Sequence, residues 1–197
     1  MEAIMEKKHH HHEHGGKSSR EILDARAVLK KIPLQKGQVF LDAGSGDGYF
    51  SIEASELVGP EGKVYAVDVH RQSLEKLRAE VSERGIKHIE VLEADITERL
   101  PLSDNTVDVY FICNVLHGFS NKETEAVLQE AKRLLKATGK LAIVEFKKIE
   151  PPPGPPIEIR LEPDMVKAQL TRSGFKNSAV LEVGPFNYMI LCEVASV

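Results

Sequence analysis

Apolar positions along this chain alternate between two rhythms, short unbroken runs and longer stretches with a helical repeat. Ile22, Leu23, Ala25, Val28 and Leu29 share helical spacing and predict a short amphipathic helix ending near Pro33. An apolar run at 39–41 ends at Asp42 and a glycine-rich turn, and Phe50, Ile52, Ala54 and Leu57 then predict a helix stopped by Gly59. Residues 63–67 read as a second strand, and Leu74, Leu77 and Val81 as a second core-facing helix that ends at Gly85. Residues 88–92 and 107–116 supply a third and a fourth strand. The fourth keeps its polar residues near its ends, as a buried parallel strand requires. Ser120 followed by Glu123 is a capping box that opens a helix through Lys136, with Val127, Ala131, Leu134 and Leu135 inward and Gly139 as its stop. Residues 141–146 form the fifth strand. Five prolines in residues 151–156 exclude helix and central strand there and leave an extended loop. Pro163 opens a last helix, carrying Met165, Val166 and Leu170 and closed by Gly174. Strands at 177–183 and 188–194 follow, separated by Gly184, Pro185 and Phe186, a gap that suits a hairpin and is too short for a helical crossover. The expected fold is therefore α/β: a doubly wound, mostly parallel seven-stranded sheet closed by a C-terminal antiparallel hairpin.

Composition narrows the class. Of the 197 residues, 42% are hydrophobic and 28% charged, which suits a protein with a buried core. With 26 basic against 30 acidic residues, the net charge of -4 argues against a protein whose main task is gripping phosphate backbone, so nucleic acid is not an expected partner. Cys113 and Cys192 sit in apolar runs without zinc-type spacing, which excludes a disulfide framework and makes the cytoplasm the expected location. No apolar run approaches the roughly 18 residues of a membrane span, and no membrane partner is expected. Residues 1–17 contain five histidines and no periodic apolar face. They read as a flexible tail, or a tag, ahead of a single domain over 18–197. A natural tract of this kind could collect transition-metal ions, but no metal site is expected in the domain. The chain is expected as a monomer or a homodimer, since strand edges beside the hairpin could pair with a second copy.

The chemistry concentrates where the first strand meets the first sheet-covering helix, the place where such sheets bind ligands. The turn Asp42-Ala43-Gly44-Ser45-Gly46-Asp47-Gly48 has the spacing GxGxG, and Tyr49 stands where a dinucleotide fingerprint needs its third glycine. A pyrophosphate at this helix start would want bare N–H groups and no carboxylates, whereas Asp42 and Asp47 would welcome a cationic group such as an α-amine. The loop suits a nucleoside without phosphates. Twenty residues beyond Gly48, Asp68 ends the second strand, where a carboxylate can accept from both ribose hydroxyls; capping the following helix is its plainer role. After the third strand, Asp95 could accept from an exocyclic adenine amine, with Ala94 leaving room for the ring, although aspartate is also a common turn residue.

In this order and spacing, DAGSGDG, VYAVDV, EADI and NVLHGF resemble the class I S-adenosylmethionine (SAM)-dependent methyltransferases, over nearly everything from residue 18 onward. The resemblance implies a Rossmann-like methyltransferase fold, SAM as methyl donor and S-adenosylhomocysteine (SAH) as product. It implies that Asp42, Gly44, Ser45, Gly46 and Gly48 surround the methionyl part, that Asp68 holds the ribose, that Val69 packs on adenine and that Asp95 meets its amine beside Ala94. Asn114 falls where the family passes backbone and side chain beside the sulfonium. Within the class, the chain is similar to the small ubiquinone/menaquinone-biosynthesis C-methyltransferases, with which the stretch from Gly154 to Leu161 is shared in kind.

Methyl transfer from a sulfonium is an in-line displacement that needs alignment and water exclusion, with a base only where the acceptor arrives protonated. His117, three residues past Asn114, is the candidate catalytic residue, as base or as orienter of the acceptor; local packing is its plainer role. Glu145, Lys147, Lys148 and Arg160 could line the acceptor side, Arg160 as a bidentate carboxylate clamp. Residues 17–31 and the proline loop are the expected lid material. The expected function is methyl transfer to a small-molecule acceptor. The alternatives are a SAM-binding protein with a macromolecular acceptor or without catalytic output, a nicotinamide-dependent oxidoreductase, which the turn's carboxylates disfavour, and a metal carrier using the tail.

Overall fold

The computed structural model describes residues 19–150 and 153–195. The His-rich tail lies outside them. The described residues contain five α-helices, α1 (Ala25–Leu29), α2 (Tyr49–Val58), α3 (Arg71–Glu83), α4 (Asn121–Leu134) and α5 (Pro163–Arg172). They contain seven strands, β1 (Val39–Ala43), β2 (Lys63–Asp68), β3 (Ile89–Glu93), β4 (Val107–Cys113), β5 (Leu135–Phe146), β6 (Phe175–Glu182) and β7 (Asn187–Val194). All seven strands join one sheet in the order β3-β2-β1-β4-β5-β7-β6. Neighbours among β1 to β5 run parallel, while β7 lies antiparallel between β5 and β6. The expected doubly wound sheet with its closing hairpin is thus the observed one. From β1 the chain first builds outward through β2 and β3 and then restarts on the other side at β4. The crevice beyond the ends of β1 and β4 is the switch point, where this architecture places its ligands.

Alternation along β1 sends Leu41 and Ala43 to one face and Phe40 and Asp42 to the other. The first face is covered by Val127, Ala131 and Leu134 of α4 and by Val166 and Leu170 of α5. The second is covered by Val28 and Leu29 of α1, Phe50, Ala54 and Val58 of α2, and Leu77 of α3. Each valine, leucine or phenylalanine among them contributes about 1.5–3 kcal/mol by leaving water. At the start of α4, Ser120 Oγ accepts from Glu123 N while Glu123 Oε2 accepts from Ser120 N, completing the expected capping box.

Three boundaries depart from the pattern. The first helix starts at Ala25 because Asp24 takes the cap position and accepts from Ala27 N at 3.0 Å; Ile22 and Leu23 precede it and still pack on the core. Strand β4 ends at Cys113 and not at 116, since Asn114 adopts a left-handed conformation (φ 59°) and the chain enters a 3-10 turn, Leu116–Gly118. Helix α4 ends at Leu134, before the expected stop at Gly139. Leu135 is already paired with Val107, and a register irregularity before the Lys140–Val109 pair absorbs residues 136–139, so β5 starts six residues early.

Candidate active site

The glycine turn is anchored to β2: Gly44 N and Ser45 N both donate to Val67 O, at 2.8 and 3.0 Å. Two of its glycines are required by close packing as well as by positive φ. A Cβ at Gly44 (φ 76°) would lie 2.6 Å from Val115 Cγ2, and one at Gly48 (φ 78°) 2.2 Å from Leu77 Cδ1. Gly46, between them, has no atom of the described residues within 4 Å of its missing Cβ, so the turn presents its open side there. Ser45 Oγ is buried without a hydrogen-bond partner among the described residues. Helix α2 then starts after Gly48 without a side-chain cap, and the Ser51 backbone in its first turn donates to Asp42.

Beneath the turn, Asp42 is 2% exposed and accepts from Ser51 Oγ at 2.6 Å. Burial pushes its carboxyl up to about 7, with Asp68 and Asp47 adding to the rise and the Ser51 hydrogen bond opposing it. Asp68 braces the turn from β2. Its Oδ2 accepts from Gly46 N at 2.8 Å and its Oδ1 from His70 N at 2.7 Å. His70 is itself the cap residue of α3, so Asp68 steadies the helix start without occupying the cap position. Each carboxylate oxygen keeps a further lone pair for a ligand. Val69 beside it is 65% exposed, the most exposed large apolar side chain described. Ala94 N donates to Asp68 O at 3.0 Å, which brings the end of β3 alongside. Asp95 is exposed, and its Oδ1 accepts from both Thr97 N and Thr97 Oγ1, so the turn role is present in the structure.

Across the crevice, Asn114 N donates to Val144 O at 2.8 Å. Its side chain joins a polar chain, with Asn187 Nδ2 donating to Asn114 Oδ1 at 2.9 Å and Asn114 Nδ2 donating to Ser19 Oγ at 3.3 Å. Asn187 is fully buried, and its Oδ1 has no partner among the described residues. The N-terminal segment lies over this end of the sheet. Arg20 pairs with Asp47 at 3.2 Å and stacks on Tyr49, whose hydroxyl donates to Leu23 O and accepts from Ala25 N.

His117 sits in the 3-10 turn after β4, with Nδ1 2.8 Å from Glu145 Oε2 and its backbone N donating to Glu145 Oε1 at 3.2 Å. Glu145 is fully buried. A carboxylate only accepts, so the proton sits on Nδ1 and Nε2 is left basic. The sequence places both residues at strand ends but gives no sign that they pair across 28 positions; Asn187 carries no local signal at all.

Arg160 is not an exposed carboxylate clamp. It is 1% exposed, and its guanidinium donates to the carbonyls of Lys147, Pro153 and Pro155. Lys147 pairs with Glu182 and also donates to the hairpin carbonyls of Gly184 and Pro185, while Lys148 is exposed.

The arrangement thus sets the glycine turn, Asp68 and Val69 on one side of the β1–β4 junction and a histidine–carboxylate pair on the other. The chain also matches known proteins in sequence and fold. A family model described as a methyltransferase domain matches residues 34–183. A SAM-dependent methyltransferase of known structure from Aquifex aeolicus superposes with a TM-score of 0.83 at 34% identity, covering 92% of this chain and 95% of that one. A demethylmenaquinone methyltransferase of Anoxybacillus flavithermus is 32% identical over 126 residues, 64% of this chain and 52% of that protein. A ubiquinone/menaquinone biosynthesis C-methyltransferase of Pseudomonas putida is 34% identical over 124 residues, 62% of this chain and 47% of that protein. The matched stretch spans about half the length of these curated relatives.

Proposed function

The chain belongs to the SAM-dependent methyltransferases, and from that premise we propose that it transfers a methyl group from SAM to a small molecule whose reacting group arrives protonated and is deprotonated by His117. The observation that carries this reading is the His117–Glu145 pair: a buried carboxylate holds Nδ1 and leaves Nε2 as the basic nitrogen. A methyl acceptor whose attacking atom has no proton to lose needs no such device.

The residues present fit the methyl donor. Ser45 Oγ is a buried hydroxyl in want of a partner, and Gly46 leaves space above the turn. In this reading the methionyl part lies over Gly44, Ser45, Gly46 and Gly48, its carboxylate toward the start of α2 and its ammonium toward Asp42. Asp68 receives the ribose hydroxyls on its remaining lone pairs, Val69 and Ala94 bracket the adenine, and Asp95 accepts from its amine. Asn114 flanks the sulfonium. When bound, SAM supplies an electrophilic methyl group. The chain's own work is to align the acceptor against it, take a proton at His117 Nε2 and exclude water with residues 19–25.

The quinone-biosynthesis relatives make a hydroxylated ring a reasonable acceptor to screen first, because loss of the hydroxyl proton to His117 would enrich both the oxygen and the neighbouring ring carbons. We place the whole of 18–197 in one catalytic domain. None of the described helices is long and apolar enough to cross a membrane, and both cysteines are free, which supports a cytoplasmic enzyme.

Calorimetric titration with SAH, with NAD as control, tests the donor site. Micromolar binding of SAH alone is expected, and Asp68→Ala should weaken it by at least about 1 kcal/mol through loss of charge-assisted hydrogen bonds. Binding of NAD, or an unaltered SAH affinity in Asp68→Ala, would remove the assigned nucleoside contacts.

A further inference from the structure

A run of prolines creates a specific deficit. Proline carries a carbonyl but no N–H, so a folded proline loop presents acceptors that its own backbone cannot satisfy. Here the donors come from one side chain. Arg160 Nε donates to Pro155 O at 3.0 Å, Nη1 to Lys147 O at 2.7 Å, and Nη2 to Pro153 O and Pro155 O, both at 2.9 Å. A planar fork of five donors reaches these three carbonyls from three nitrogens in one fixed geometry, whereas a lysine ammonium offers three donors from a single point. The guanidinium is also stacked over Phe146, 5.3 Å from the ring centroid.

The loop comes down on the same ring. Gly154 (φ 101°) passes so close that a Cβ there would lie 2.5–2.8 Å from three atoms of Phe146. The Phe146 ring in turn stands edge-on to the His117 imidazole, with centroids 6.1 Å apart and planes at 74°. His117 is therefore held on one side by Glu145 and bounded on another by a ring that the proline loop and Arg160 press into place.

We propose that Arg160 is a positioning residue for the methyl transfer: by gathering the carbonyls of Lys147, Pro153 and Pro155 it clamps residues 153–155 onto Phe146 and so fixes the aromatic wall against which His117 is oriented. The catalytic meaning of this coupling rests on the role given to His117 above, but the coupling itself is a property of the folded chain and is measurable without the methyl acceptor.

The experiment is side-chain NMR of the His117 imidazole in the full chain, with Phe146→Leu as the reference for loss of the ring's field. In Arg160→Ala the His117 signal moves toward its Phe146→Leu position, and guanidinium chloride, kept well below denaturing concentration, returns it by refilling the carbonyl-lined space. Arg160→Lys keeps the charge and does not restore the signal. Gly154→Ala, which lifts the loop from the ring with the guanidinium intact, shifts His117 in the same direction, and it carries the test alone where Arg160→Ala does not fold. A His117 signal unmoved in Gly154→Ala, or moved in Arg160→Ala and fully restored by lysine, overturns the proposal. SAH titration of the same samples reads the donor site separately. Affinity within about twofold of wild type is expected in both variants, and absent SAH binding in the wild type would remove the methyltransferase mechanism while leaving the loop coupling to the His117 signal.

Discussion

Asp42 should oppose stability and support binding at the same time, and Asp42→Asn separates the two. The carboxyl is buried under the glycine turn and pushed from 3.8 up to about 7, chiefly by desolvation. Because its folded value lies above its unfolded one, the favourable contribution is complete below about pH 4, where both states are protonated, and is lost as pH rises through about 7. A displacement of about three pH units corresponds to about 4 kcal/mol at most. The asparagine is nearly isosteric and can still accept from Ser51 Oγ, though a neutral acceptor forfeits about 1 kcal/mol of that bond. Asp42→Asn should therefore match or slightly trail the wild type near pH 4 and exceed it by about 2–3 kcal/mol near pH 8. Urea unfolding across that range measures the difference, and carboxylates common to both proteins cancel in it. A stability difference that does not change with pH would refute the reasoning.

Binding should move the other way. A ligand ammonium favours the ionised carboxylate, so SAH binding near neutral pH should expel a proton from wild-type protein. This is detectable by calorimetry in buffers of different ionisation enthalpy. Asp42→Asn should bind SAH more weakly and release no such proton. Equal proton release in both proteins would show that the ammonium does not feel Asp42.

Other residues give sharper, simpler outcomes. Glu145→Gln keeps an acceptor for His117 Nδ1 but cannot stabilise the imidazolium, so kcat should fall by about ten- to a hundredfold with the KM for SAM unchanged, measured by methyl release to any acceptor that the wild type turns over. An unaltered kcat would remove the base from the mechanism. Gly48→Ala places a methyl 2.2 Å from Leu77 at a positive φ and should lower stability by more than about 1 kcal/mol in urea titration. The corresponding Gly46→Ala meets no atom and should instead lower SAH affinity with a smaller loss of stability, reported by the same two assays.

The elements were legible in the sequence because their cause is local. Runs such as 107–113 and the capping box at Ser120 carry their period and their caps in adjacent residues, and the GxGxG turn and Asp68 follow from strand ends that the same periods locate. What failed locally was decided by distant partners. Gly139 looked like a helix stop, but pairing with Val107 had already drawn Leu135 into the sheet. Asn114 ended β4 early by its backbone conformation, which apolar periodicity does not encode. The His117–Glu145 and Asn114–Asn187 pairs join positions 28 and 73 residues apart, set by the register of β4, β5 and β7. Arg160 was misread for the same reason. A charged residue after a loop is normally solvated, and only the folded proline carbonyls give its guanidinium partners.

Among the described residues, the three most deeply buried charged side chains, Asp42, Glu145 and Arg160, all lie at or just beyond the carboxyl ends of β1 and β5. Burying a charge is unfavourable unless hydrogen bonds replace its water, and a fold selected for stability alone would put apolar groups there. Each instead has a definite neighbour at the crevice: Asp42 the turn, Glu145 the histidine, Arg160 the loop behind that histidine. Glu130, the next most buried, lies elsewhere and is matched by Arg133 in an ordinary ion pair. The distinction is between a charge neutralised by a salt bridge, which stabilises a surface loop, and a charge held by neutral groups at a ligand crevice, which waits for a partner or orders one. On that criterion Asp42 joins His117 in the proposed site. Its substitution should be the one that makes the protein more stable and less able to bind.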